Sequence, residues 1–174
     1  MDGEAPLLQW LQLYKYVMHP VHPTLCVFAI VNSLGNESLV GELQARWALS
    51  VLSGKSSAAG GGARPDRQEM ASWVERRSAK VRRSMPKFAQ FVPYTKYCDE
   101  LASDVGCLPP PVLSWRNALS PGRWPLLYKL AFGPVVQAQY RLEGPNKWDG
   151  AENFLVKGVA STLSRVLVPP PSRL

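Results

Sequence analysis

The chain has 174 residues, 46% hydrophobic and 19% charged, a balance that suits a folded domain or a slice of a larger one and excludes a disordered tail. Its net charge of +7 admits nucleic acid, an anionic membrane or an anionic cofactor as partners. No run reaches the roughly 18 apolar residues of a spanning helix, and the acidic start Met1-Asp2-Gly3-Glu4 lacks the charged region of a signal peptide, so the chain reads as soluble.

In chain order, Leu11 to Val17 alternates loosely and carries Tyr14, Tyr16 and Val17, which predicts a strand. His19-Pro20-Val21-His22-Pro23 interrupts it, because proline cannot donate to a ladder. Thr24 to Val31 is a continuous β-branched and aromatic run, the pattern of a strand buried on both faces. The turn Asn32-Ser33-Leu34-Gly35-Asn36 follows, with Gly35 expected at positive φ. Ser38 to Leu52 has the spacing of a helix, with Ser38 as N-cap and Gly54 as the stop. Leu39, Leu43, Trp47 and Val51 fall four apart and build its apolar stripe.

Ser53 to Ala63 is a flexible insertion whose Gly60-Gly61-Gly62 cannot cradle phosphate, since no Lys-Ser/Thr closes it. Pro65 to Met85 is a second helix, with Pro65, Asp66 and Glu69 suited to its first turn. Tyr94 to Val105 is a third, with Tyr97, Leu101 and Val105 on one face and Gly106 ending it. Pro109-Pro110-Pro111 makes a rigid connector, Trp124 to Phe132 a short fourth helix, and Gly133 to Gly144 an extended or turn stretch. Ala151 to Leu167 is helical, with Leu155, Val159 and Leu163 on one side, before Pro169-Pro170-Pro171. Two strands cannot cover both faces of a sheet, so the pattern points to further strands upstream.

Few residues carry obvious chemistry. Cys26, Cys98 and Cys107 form no CxxC pair and suit buried free thiols in a reducing compartment; His19 and His22 lack a third ligand, so no metal is expected. Asp99 and Glu100 are adjacent on a helix and point about 100° apart, which makes them a solvated face rather than a catalytic pair. Trp47 fills the core, while Arg46 is a helix-surface charge, a partner in a structural ion pair, or a neighbour of a cofactor phosphate. Tyr140, Arg141 and Trp148 fit a tied-down loop better than a nucleic-acid platform. Arg76, Arg77, Lys80, Arg82, Arg83 and Lys87 make a solvated helix face, or a contact with acidic lipid headgroups.

Two stretches carry a resemblance. One is Leu34-Gly35 with Glu42-Leu43-Gln44-Ala45-Arg46-Trp47-Ala48. The other is Phe132-Gly133-Pro134, then Gln139 to Pro145, then Trp148-Asp149-Gly150-Ala151. Leu13 to Val17, Pro23-Thr24-Leu25 and Tyr97-Cys98-Asp99-Glu100-Leu101-Ala102 agree in the same order. In these residues the chain resembles the C-terminal portion of the animal flavin-containing monooxygenases.

The resemblance implies an α/β flavoprotein with two dinucleotide-binding domains, of which this chain is mostly α with a few strands from the edge of the FAD-domain sheet. It implies FAD and NADPH as cofactors, amines or sulfides and molecular oxygen as substrates, and a peroxyflavin that oxygenates soft nitrogen or sulfur. It implies residues 1–52 as the last strands and helix of the FAD domain, 53–64 as the insertion, 65–168 as a helical region and 169–174 as a Pro-rich tail. Asn32, Ser33, Leu34 and Gly35 would either line the flavin cleft, with the following helix N-terminus facing the ring, or form an ordinary strand-to-helix turn; no residue here is assigned a catalytic role. Leu39-Val40 stand where the family shows Pro-Thr. No GxGxxG occurs, so this chain alone is expected to be inactive. The family sits at the endoplasmic reticulum membrane, whereas a chain ending Ser172-Arg173-Leu174 would be cytoplasmic if expressed alone. The alternative is a non-catalytic basic module that binds membrane or nucleic acid through residues 76–87.

Overall fold

Asn36 starts the first helix, α1 (Glu37–Leu52): its backbone is extended and its side-chain oxygen accepts from the N–H groups of Ser38 and Leu39 at 3.0 and 3.3 Å. The cap therefore lies two residues before Ser38, where it was expected, because Asn caps as well as Ser and satisfies two orphan donors here. At the other end Gly54 takes φ 67°, with Gly54 N–H donating to Val51 O and Lys55 N–H to Ser50 O. That is the paired reversal in which glycine ends a helix.

The computed structural model describes residues 12–55, 65–84, 91–112 and 121–158, with the side chains of Arg82 and Ser84 outside that set. Residues 1–11, most of the insertion (56–64), Lys87, the helix expected beyond 158 and the Pro-rich tail lie outside the described residues. The chain divides into two units, Met1–Val105 and Gly106–Leu174.

In the first unit, α2 (Arg67–Ser84) begins after Asp66, whose Oδ1 accepts the Glu69 N–H at 2.7 Å. That side-chain cap places the start two residues later than Pro65. α3 (Tyr94–Val105) has the bounds expected of it and stops at Gly106, φ 77°. α1 packs on α3 through the predicted stripes: Leu39, Leu43, Trp47 and Val51 against the face of Tyr97, Leu101 and Val105, all at most 5% exposed.

Neither expected strand forms. Among the described residues there are only isolated bridges, pairing Tyr14 with Met18, Met18 with Cys26 and Asn32 with Phe91. Tyr14 to Val17 is instead a tight turn, with Lys15 and Tyr16 at φ 48° and 58° and Val17 N–H donating to Tyr14 O at 3.0 Å. Two positive φ values mark a primed hairpin turn, which usually takes Asn and Gly. Holding such residues there costs about 1–3 kcal/mol each. Burial of Tyr14, Tyr16, Val17 and Met18 offsets it.

The stretch 24–31 pairs only briefly. His19 N–H donates to Leu25 O and Val27 N–H to Val17 O, and Ala29 at φ 57° breaks the extended run. Leu25 and Phe28 are 49% and 43% exposed, and of this stretch only Val31 is buried, so it is not a strand covered on both faces. The physical reason is that β-propensity measures fit to cross-strand and facing neighbours, and Met18 supplies just one of these.

The second unit builds on α4 (Trp124–Phe132), entered by a 3-10 turn at Pro121–Arg123, and α5 (Ala151–Lys157). Between them Gln137–Arg141 forms a 3-10 segment, where an extended or turn stretch was expected. Among the unit's described residues Cys107, Leu126, Leu127, Ala138, Tyr140 and Ala151 are the buried hydrophobic ones, and Gln139 is buried with them. Trp148 N–H donates to Arg141 O at 2.9 Å, closing the 141–148 loop. Gly144, φ 75°, permits an approach to Gly106 that any side chain would block, since a Cβ would lie 2.0 Å from Gly106 O.

Candidate functional site

The turn between residue 31 and α1 is pinned from one side. Asn32 bridges Phe91 in parallel, and its carbonyl accepts the Val92 N–H at 3.0 Å. Ser33 is 6% exposed and its Oγ has no hydrogen-bond partner among the described residues. Leu34 stands out at 85% exposed.

Gly35 is needed for a reason other than the expected one. Its φ is not positive; a Cβ there would lie 2.4 Å from Cγ of Tyr94, so the Tyr94 ring occupies the space a side chain would need. Burial raises the Tyr94 pKa first, against a hydrogen bond with the Asn36 backbone. The tetrad Asn32, Ser33, Leu34 and Gly35 is thus one continuous turn, clamped between Val92 and Tyr94.

The helix N-terminus that follows is capped from within the chain. Asn36 already accepts from Ser38 and Leu39 N–H, so those donors are engaged within the chain. Leu39 and Val40, at 0% and 2% exposure, face the core.

The segment that leads into the turn is held by a polar scaffold that sequence reasoning missed. Gln44, fully buried, accepts the Ala29 N–H at 2.8 Å and donates to the Tyr97 hydroxyl at 2.8 Å; Tyr97 donates to the Lys15 carbonyl at 2.7 Å. One side chain therefore fixes two of the residues at positive φ, Ala29 directly and Lys15 through Tyr97. Lys15 Nζ meets Asp104 Oδ2 at 2.5 Å and Glu100 Oε1 at 3.3 Å, while the Trp47 indole donates to the same Asp104 oxygen at 2.8 Å. Burial pushes the Tyr97 pKa up, against the Gln44 hydrogen bond that lowers it. A polar residue on an otherwise apolar helical face, as Gln44 is beside Leu43 and Trp47, was the available signal.

Two readings of charge change accordingly. Glu100 is not simply a solvated carboxylate: with Asp104, one turn on, it converges on Lys15. Arg46 is not a surface charge either. Its side chain is 9% exposed and Nη1 pairs with Glu42 Oε1 at 3.5 Å. His19 Nδ1 accepts from the N–H groups of Val21 and His22, a local cap. Among the described residues no group of three or more His, Cys, Asp or Glu could hold a metal ion, and no helix is long and apolar enough to cross a membrane.

Ser33 Oγ is buried and unsatisfied among the described residues, and a buried hydroxyl without a partner costs about 1–3 kcal/mol unless a ligand satisfies it, so the turn has room for one hydrogen bond to a cofactor's polar edge. Exposed Leu34 offers apolar cover beside it.

Compared with known proteins, residues 8–169 match the family model for flavin-binding monooxygenase-like proteins. The chain is 34% identical over 169 residues to mouse dimethylaniline monooxygenase (N-oxide-forming) 2, covering 94% of this chain and 29% of that protein. It is 32% identical over 149 residues to dog flavin-containing monooxygenase 3, covering 84% and 26%, and 34% identical over 150 residues to dog flavin-containing monooxygenase 1, covering 83% and 26%. The chain spans less than a third of the length of these curated relatives.

Proposed function

The chain belongs to the flavin-binding monooxygenase-like family, and from that premise we propose that it is the C-terminal share of an FAD- and NADPH-dependent enzyme that oxygenates soft nitrogen or sulfur nucleophiles. The observation that carries this reading beyond the family match is the buried, unpartnered Ser33 hydroxyl in a clamped turn. Bound flavin, reduced by NADPH, would supply the activation of molecular oxygen.

This chain's own residues position and shelter. Ser33 donates or accepts one hydrogen bond at a polar edge of the cofactor, and Leu34 covers apolar surface and excludes water. Asn32 and Gly35 fix the turn against Val92 and Tyr94. Gln44, Tyr97 and Lys15 keep the preceding backbone in register, so Ser33 is held by a scaffold rather than by a free loop. The whole enzyme belongs at the endoplasmic reticulum membrane in this reading. The 174 residues alone are inert, because their sequence contains no GxGxxG turn to hold a pyrophosphate.

Flavin retention tests this. After gel filtration with excess FAD, the 174-residue chain stays colourless, whereas the same chain joined behind the preceding part of the mouse relative keeps flavin. A stoichiometric yellow complex of the short chain, or a colourless chimera that is otherwise folded, contradicts it.

A further inference from the structure

The first unit holds a concavity of about 270 Å³ that none of Asn32, Ser33, Leu34 and Gly35 lines. α2 contributes Trp73, Arg76, Arg77 and Lys80, α3 contributes Lys96, Tyr97 and Glu100, and Tyr16, Val92 and Pro93 complete the wall. Four cations therefore face one carboxylate, and that carboxylate is already paired with Lys15 at 3.3 Å. The local excess is positive in a depression with aromatic walls, where field is focused rather than dispersed.

One of the cations is pre-oriented. Arg77 Nε donates to the Tyr16 hydroxyl, an Nη donates to the Phe91 carbonyl at 3.3 Å, and the guanidinium lies 5.4 Å from the Tyr16 ring centroid. The Tyr16 ring stands edge-on to both Trp73 and Tyr97, at 5.6 and 6.0 Å, so the surface beneath Arg77 is fixed. Arg76 and Lys96 enter from different helices, are exposed, and have no ion pair or hydrogen bond within the described residues. The one carboxylate among them, Glu100, is shared with Lys15, so the cations converging from two helices repel one another unless an anion joins them.

We propose that this cavity binds a phosphate monoester. A dianion matches the charge better than a carboxylate, and arginine's planar fork suits phosphate oxygens bidentately while lysine adds point charge. Trp73, Val92 and Pro93 accept the apolar or planar group that carries the phosphate. The volume lies just under the usual range for drug-sized ligands, which suits one ring-sized group and excludes a whole dinucleotide. The ester comes either from a soluble metabolite or from a lipid headgroup, and the two sources separate experimentally.

Phenyl phosphate is titrated into the full chain by calorimetry, and in parallel the chain is sedimented with phosphatidylcholine vesicles with and without phosphatidate. Binding of phenyl phosphate that weakens with salt is expected, and it falls about tenfold in Arg76→Gln and again in Lys96→Gln. Arg83→Gln removes an exposed α2 cation that does not line the cavity and leaves the affinity unchanged. Vesicle binding that needs phosphatidate and is displaced by phenyl phosphate assigns the site to a headgroup; phenyl phosphate binding without vesicle binding assigns it to a soluble ester. Binding of neither probe overturns the proposal, as does an equal loss in Arg83→Gln, which would show diffuse charge instead of a site. All three variants alter exposed side chains, and unchanged helical circular dichroism confirms that folding is intact.

Discussion

Replacing Gln44 with Ala removes the one side chain that ties three segments of the first unit together. Two hydrogen bonds of 2.8 Å are lost, to Ala29 N–H and to the Tyr97 hydroxyl, worth about 1 kcal/mol each. Gln44 is fully buried, so truncation also leaves a hole that adds about 1 kcal/mol. The sum, about 3 kcal/mol, corresponds to a Tm lowered by roughly 10–20 °C for a unit of about 100 residues. Thermal melting of Gln44→Ala beside Gln44→Met measures it. Met keeps the volume and loses the polar bonds, so it should recover about a third of the loss. If Gln44→Ala melts within about 2 °C of the parent, the buried relay does not hold the fold and the scaffold argument fails.

Asp104→Ala should cost about 2–4 kcal/mol in urea unfolding, because Lys15 loses its nearer carboxylate and the Trp47 indole its acceptor; Asp104→Asn should recover part through Trp47. Gly35→Ala should cost about 1–3 kcal/mol by forcing Tyr94 aside, and Tyr94→Ala should remove most of that added cost, a coupling that a double-mutant cycle reads directly. Burial pushes the Cys98 thiol up to about 12 from 9.0, so the folded chain keeps a proton that the unfolded chain gives up in that window. Stability should then fall as pH rises from 9 toward 12, and Cys98→Ser should flatten the early part of the slope. At pH 8 a thiol reagent should modify half-buried Cys26 before Cys98; equal rates would contradict the burial.

The helices were legible because their signals are local. Leu39, Leu43, Trp47 and Val51 fall on one helical face whatever else surrounds them, and Pro93 and Gly106 bracket α3 in the sequence itself. The strands misled because Thr24 to Val31 carries a preference that only neighbouring strands can realise. Nothing in Tyr14-Lys15-Tyr16-Val17 announces a primed turn, since neither central residue is Gly or Asn; tertiary burial selects it. At the candidate site, Asn32 to Gly35 was found as a turn, but the purpose of Gly35 was not. Positive φ is a local property, whereas contact with Tyr94, 59 residues on, is a tertiary one.

The central claim, that Asn32 to Gly35 lines a flavin, rests most directly on Ser33. In the chimera carrying the preceding part of the mouse relative, flavin per protomer and the melting temperature of the flavin-free protein are measured for Ser33→Ala. Because Ser33 Oγ has no partner within the described residues, its removal should leave the flavin-free protein as stable as the parent or slightly more so, while flavin occupancy falls. Unchanged occupancy with unchanged melting would contradict the claim and leave the turn as scaffold alone.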